Sequence, residues 1–248
     1  MNRLQALARP QSFAATPAIK VEAGVFSPSR VDQPCAIFAP LHYEPNYAYP
    51  MLVWLHGPGD DENQLKRIMP LVSLRNYVGL SIRGTMAMPS QGRKQGYTWS
   101  GSVGHIAEAE QRLFDAIELA RSRFHVAPGR IFLGGYDAGG TMAFRLALRH
   151  PRSFGGVLSI GGEFPRGDTP LRWLEDVRQL PVFMAYGRDS TSFNEAKVCE
   201  ALRLFHVARM KVNLRQYPCP QQLTTVMLED MDRWIMEQVT GVASTVDC

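Results

Sequence analysis

Cysteine is scarce in this chain, with four in 248 residues (Cys35, Cys199, Cys219 and Cys248) and no CxxC pair among them. That scatter excludes a dense disulfide framework and the usual thiolate metal site, so reduced thiols, no metal and no other cofactor are expected. Long hydrophobic runs are missing as well. Nothing approaches the roughly 18 consecutive apolar residues of a membrane span. Residues Met1 to Pro17 lack a continuous apolar stretch and do not read as a signal peptide, so a cytoplasmic location is expected by default. Charge of one sign does not accumulate either. The formal net charge is +4 with no long basic run, which argues against nucleic acid as a partner. No internal repeat and no low-complexity tract is present.

What is present is ordinary for a globular protein: 45% hydrophobic and 20% charged residues, in a length that suits one domain. Residues 1–25 mix Pro, Ala, Ser and Gln with little periodicity and read as an extended or mobile leader, leaving 26–248 as a single domain. Within it, strand-like and helical runs alternate. Strands are expected at Gln33–Tyr43, Pro50–Leu55, Tyr77–Ile82, Arg130–Gly135, Phe154–Ile160, Pro181–Tyr186 and Lys211–Tyr217. Helices are expected at Asp61–Leu74, His105–Phe124, Ala138–Arg149, Leu171–Val177, Asn194–Arg209 and Thr224–Val239. In the clearest helix, Ile106, Ala109, Leu113, Ala116, Ile117 and Ala120 recur at helical spacing. Short apolar strands alternating with helices predict a mostly parallel central sheet with helices on both faces, an α/β fold. Ligands in such folds gather at the carboxyl ends of the strands.

The most informative segment is Gly135-Tyr136-Asp137-Ala138-Gly139, where a buried strand runs through small residues straight into a helix. This is the form of the nucleophile elbow G-x-S-x-G, with Asp137 in the serine position. A plain strand–turn–helix with packing glycines is the other reading. A dinucleotide G-x-G-x-x-G does not fit the glycine spacing. Upstream, Leu55-His56-Gly57-Pro58-Gly59 follows a buried strand, where esterases carry an oxyanion loop.

With both elements in place, the chain resembles the carboxylesterase/phospholipase-type esterases of the α/β-hydrolase superfamily, with some likeness to polyhydroxyalkanoate depolymerase-type members. The likeness runs from about Pro50 to the last helix and includes Tyr97-Thr98-Trp99, Gly139-Gly140-Thr141-Met142-Ala143 and His150-Pro151. The resemblance implies an oxyanion hole from Gly57, Pro58 and Ala138, and substrate contacts from His56, Trp99 and Tyr136. It also implies a degenerate triad. Asp137 fills the nucleophile position, and Gln221, in Tyr217-Pro218-Cys219-Pro220-Gln221, fills the histidine position. In Gly187-Arg188-Asp189-Ser190, Ser190 holds the acid spacing, with Asp189 one residue early.

Serine hydrolysis needs a base for the hydroxyl proton and a carboxylate to orient that base. Glutamine takes no proton near neutral pH, and no histidine follows His206. The Asp137 carboxylate is expected at a helix N-terminus, held by backbone N–H groups, and Arg188 is a candidate ion-pair partner for it. The expected function is a hydrolase homologue inactive as a serine esterase and retained to bind an ester-like small molecule or a protein partner. The alternatives are a working hydrolase built on Asp137, with His56 or His105 as base, and a structural subunit of a larger assembly. Cys219 is read as buried rather than as a spare nucleophile.

Overall fold

A computed structural model of the chain describes residues 27–28, 34–89, 95–167 and 172–241. The expected leader and Cys248 lie outside them. Along the chain come β1 (Ser27–Pro28), β2 (Cys35–Phe38), β3 (Tyr49–Leu55), α1 (Leu65–Val72), β4 (Val78–Ile82), β5 (Met86–Ala87), β6 (Tyr97–Thr98) and α2 (Val103–Arg123). Then follow β7 (Val126–Tyr136), α3 (Ala138–Arg149), β8 (Gly156–Ile160), α4 (Leu174–Val177), β9 (Val182–Gly187), α5 (Glu195–Ala208), β10 (Val212–Tyr217) and α6 (Thr225–Thr240). Eight strands form one sheet in the order β1-β2-β4-β3-β7-β8-β9-β10. From β4 to β10 every pairing is parallel, while β1–β2 and β2–β4 are antiparallel.

Strand alternation explains the two layers of helices. In β3, Met51, Val53 and Leu55 point into a core shared with α2, α3 and α5. Leu52 and Trp54 point the other way, into a core closed by α1 and α6. All five are fully buried, each side chain stabilising the sheet by about 1.5–3 kcal/mol. β7 repeats the division, with Ile131 and Leu133 on the first side and Phe132 on the second. No helix among the described residues is long and apolar enough to cross a membrane.

Several boundaries differ from expectation for local reasons. The helix expected over Asp61–Leu74 divides because the Asp61 carboxylate accepts the Asn63 N–H at 2.9 Å, capping a 3-10 turn at Glu62–Gln64 before α1 begins. The strand expected over Gln33–Tyr43 shortens to β2, whose ladder with β4 ends at Phe38. β7 extends back to Val126, which pairs with Tyr49 across an irregularity in the β3–β7 register. The small β5–β6 ribbon was not expected.

Candidate functional site

The carboxyl ends of β3, β7, β8, β9 and β10 bring the sequence-selected residues together. Asp137 caps α3 with φ 52° and ψ −120°, a strained conformation for a residue with a Cβ. Its N–H donates to the Ile160 carbonyl at 2.8 Å, and its carbonyl accepts the Thr141 N–H at 3.0 Å. Glycine makes the sharp turn into α3 possible, because a Cβ on Gly139 would strike the Leu55 and His56 carbonyls at the end of β3. The expected capping bonds to the Asp137 carboxylate are not formed. A capping side chain normally springs from extended backbone, and φ 52° aims the Asp137 side chain elsewhere.

The loop after β3 corrects one part of the expected oxyanion hole. Pro58 has no N–H and can supply no donor. The Gly59 N–H is already spent on the Tyr97 carbonyl at 2.9 Å. Of the expected positions, Gly57 and Ala138 keep an N–H, and Ala138 lines a cavity over α3. The Tyr136 ring lies against Gly57, since a Cβ there would sit 2.6 Å from the ring. Burial, and then the neighbouring Asp137, push the Tyr136 phenol above its ordinary pKa.

His56 is fully buried and both its ring nitrogens are engaged. Nδ1–H donates to the Gly57 carbonyl at 2.8 Å, and Nε2 accepts the Gly84 N–H at 2.9 Å. Only the neutral Nδ1–H tautomer satisfies both bonds. Burial pushes its pKa below the usual value, against weaker upward pulls from the Gly57 bond and from Asp60, Asp61 and Glu62. His56 therefore braces the loop and has no free nitrogen for proton transfer. The Trp99 indole packs on its ring at 5.2 Å and donates to its carbonyl at 2.8 Å. His105 lies in the first turn of α2, its Nδ1 3.6 Å from Glu108.

At the expected acid and histidine positions, two loops are clipped together by backbone. The Arg188 N–H donates to the Tyr217 carbonyl at 2.7 Å and the Asp189 N–H to the Cys219 carbonyl at 3.1 Å. This register turns Asp189 outward, where it pairs with Arg188 at 3.0 Å, both side chains more than half exposed. The suggested Arg188–Asp137 pair is thus not formed. Ser190 turns inward, and its hydroxyl donates to Gln221 Oε1 at 2.8 Å while accepting the Phe193 N–H at 3.1 Å. The other end of the amide, Nε2, donates to the Gly161 carbonyl at 2.8 Å. Gly161 has φ +66°, and a Cβ there would lie 2.5 Å from Gln221 Nε2. Cys219 is buried beside this loop.

A cavity of about 350 Å³ opens over the N-terminal half of α3. Asp137, Ala138, Thr141, Met142 and Arg145 form its floor, a stripe at helical spacing. Trp99 and the segment 100–101 form one wall; Gly161, Glu163 to Arg166, Ser192 and Phe193 form the other. Sequence reasoning missed Arg145, Glu163, Phe164 and Phe193. Arg145 alone left a signal, as a charge inside the otherwise apolar run from Met142 to Leu148. Among the described residues, no group of acidic, histidine and cysteine side chains could hold a metal ion.

A model of the phospholipase/carboxylesterase family matches residues 44–238. A candidate esterase, NocK of Nocardia uniformis subsp. tsuyamanensis, is 25% identical over 142 residues, covering 56% of this chain and 39% of NocK. The match thus spans about two fifths of that relative's length. SOBER1 of Arabidopsis thaliana superposes with a TM-score of 0.64 at 17% identity, over 77% of this chain and 100% of that one. A carboxylesterase from Mesorhizobium loti superposes with a TM-score of 0.68 at 16% identity, over 87% and 99%. At these identities the superpositions speak to the fold, which is that of the α/β-hydrolases.

Proposed function

As the chain belongs to the phospholipase/carboxylesterase family, we propose that it keeps the family's ligand cavity without serine-esterase chemistry, acting as a binding protein for a small molecule. The observation that carries this reading is the hydrogen-bonded series Ser190–Gln221–Gly161. A working triad holds a carboxylate against an imidazole that accepts and returns a proton. At the corresponding positions this chain has a hydroxyl against an amide, and neither group titrates near neutral pH. Asp137 offers no hydroxyl for acyl transfer. Asp137 also lines the cavity in which an ester would develop negative charge, and its carboxylate opposes that charge.

An aspartate-nucleophile hydrolase would need a base to release the covalent ester. His56 has both nitrogens committed, and His105 lies beside Glu108 and does not line the cavity that holds Asp137, so the binding reading is the better supported of the two. Stepwise reconstruction tests it. Asp137→Ser alone should leave short-ester turnover near background, because the base is still missing. Adding Gln221→His and then Ser190→Asp should raise turnover by about a hundredfold or more, the scale of a positioned general base. Full activity from Asp137→Ser alone would contradict the assigned positions.

A further inference from the structure

We propose that the cavity over α3 takes an organic ammonium ion with a small apolar body, with Asp137 as its counter-ion. This rests on reading the site as a binding cavity and assigns the class of its ligand, a cation in place of an ester.

The charges around the cavity carry the argument. Glu163 pairs with Lys197, and Arg166 pairs with Glu200 at 2.7 Å, so both wall charges are neutralised within the chain. Asp137 lines the same cavity, and no hydrogen bond or ion pair among the described residues reaches its carboxylate. A half-buried carboxylate beside a small cavity gains most from a cation that also donates hydrogen bonds. Arg145, eight residues further along α3, is a buried residue of the same floor, and its guanidinium donates to the Arg166 carbonyl at 3.4 Å. Asp137 is the anionic residue of the floor and Arg145 the cationic one.

The remaining lining suits an organic cation better than a metal or a hydrated ion. Trp99, Phe164 and Phe193 are buried aromatic side chains on the walls, with Met142 and Ala138 on the floor. The Trp99 ring cannot rotate freely, because its Nε1–H is bonded to the His56 carbonyl. Aromatic side chains lining a cavity with a carboxylate favour an ammonium group over a small inorganic ion that keeps its water. At about 350 Å³ the cavity is at the small end of ligand sites and has room for a one-ring ligand.

The test is titration calorimetry at neutral pH with three matched probes, benzylamine, benzyl alcohol and benzoate, on the unaltered protein and on Asp137→Asn. Saturable binding of benzylamine should be about tenfold tighter than that of benzyl alcohol, and Asp137→Asn should remove that margin. Should Asp137→Asn fail to fold, the amine-against-alcohol comparison on the unaltered protein still decides. Benzyl alcohol or benzoate binding as tightly as benzylamine would overturn the assignment. So would an unchanged affinity in Asp137→Asn, or no saturable benzylamine binding. Ester turnover measured on the same sample reports separately on the underlying binding reading, so the two failures are distinguishable.

Discussion

The Ser190 hydroxyl donates to Gln221 Oε1 at 2.8 Å, across 31 residues of sequence, and so joins the turn after β9 to the loop after β10. Both are neutral side chains, at the positions that the proposed reading assigns to the acid and the histidine of a hydrolase. On that reading the hydrogen bond between the two positions persists while the ability to move a proton along it is lost. Because Gln221 also donates to Gly161, and Ser190 also accepts from Phe193, the pair ties three strand ends together.

A double-mutant cycle on this pair should give a coupling of about 0.5–1.5 kcal/mol, the value of a neutral hydrogen bond. Ser190→Ala, Gln221→Ala and the double variant would be compared by urea denaturation. Since neither partner titrates, the coupling should stay flat between pH 5 and pH 8. A coupling that changes steeply over that range would mean that a charged group takes part.

Asp137 is strained, with φ at 52°. Asp137→Gly should relieve that strain and stabilise the fold by about 1 kcal/mol, after allowing for the extra freedom of glycine in the unfolded chain. Asp137→Asn should be close to neutral, because the carboxylate caps nothing and asparagine tolerates positive φ. Thermal melts of the three proteins check both statements. Marked destabilisation by Asp137→Asn would place the carboxylate in a buried charge network.

The sheet and its helices were legible because β3, β8, β9 and the 131–135 part of β7 are buried on both faces and read as short apolar runs between turn residues. α3 was placed residue for residue, since the glycines of the elbow and His150-Pro151 mark both of its ends. Side-chain pairing was not legible to the same degree. Whether Asp189 or Ser190 meets Gln221 depends on the backbone clip between the two loops, and no local pattern encodes it. The cavity wall formed by Glu163, Phe164 and Phe193 comes from two loops separated in sequence by β9, beyond the reach of periodicity. Pro58 is different: its missing N–H was readable from the residue type alone.

His56 gives a pH dependence of known sign. Its folded pKa is depressed by burial, while in the unfolded chain it protonates near 6.5. Below that value the unfolded state binds more protons than the native state. The His56 contribution to stability is therefore complete above about pH 6.5 and is lost as pH falls through the interval down to the folded pKa. Nitrogen-15 spectra of the imidazole at pH 7 should show the neutral Nδ1–H tautomer. A charged ring or the Nε2–H tautomer at that pH would contradict the hydrogen-bond assignment.

The central claim is tested most directly by the rate at which the purified, unaltered protein hydrolyses a short activated ester such as 4-nitrophenyl acetate. Loss of triad members lowers serine-hydrolase rates by several powers of ten. The account predicts a rate indistinguishable from that of Asp137→Ala, with no labelling by a fluorophosphonate probe. Robust turnover that Asp137→Ala abolishes would contradict it, and would make Asp137 a nucleophile served by another base.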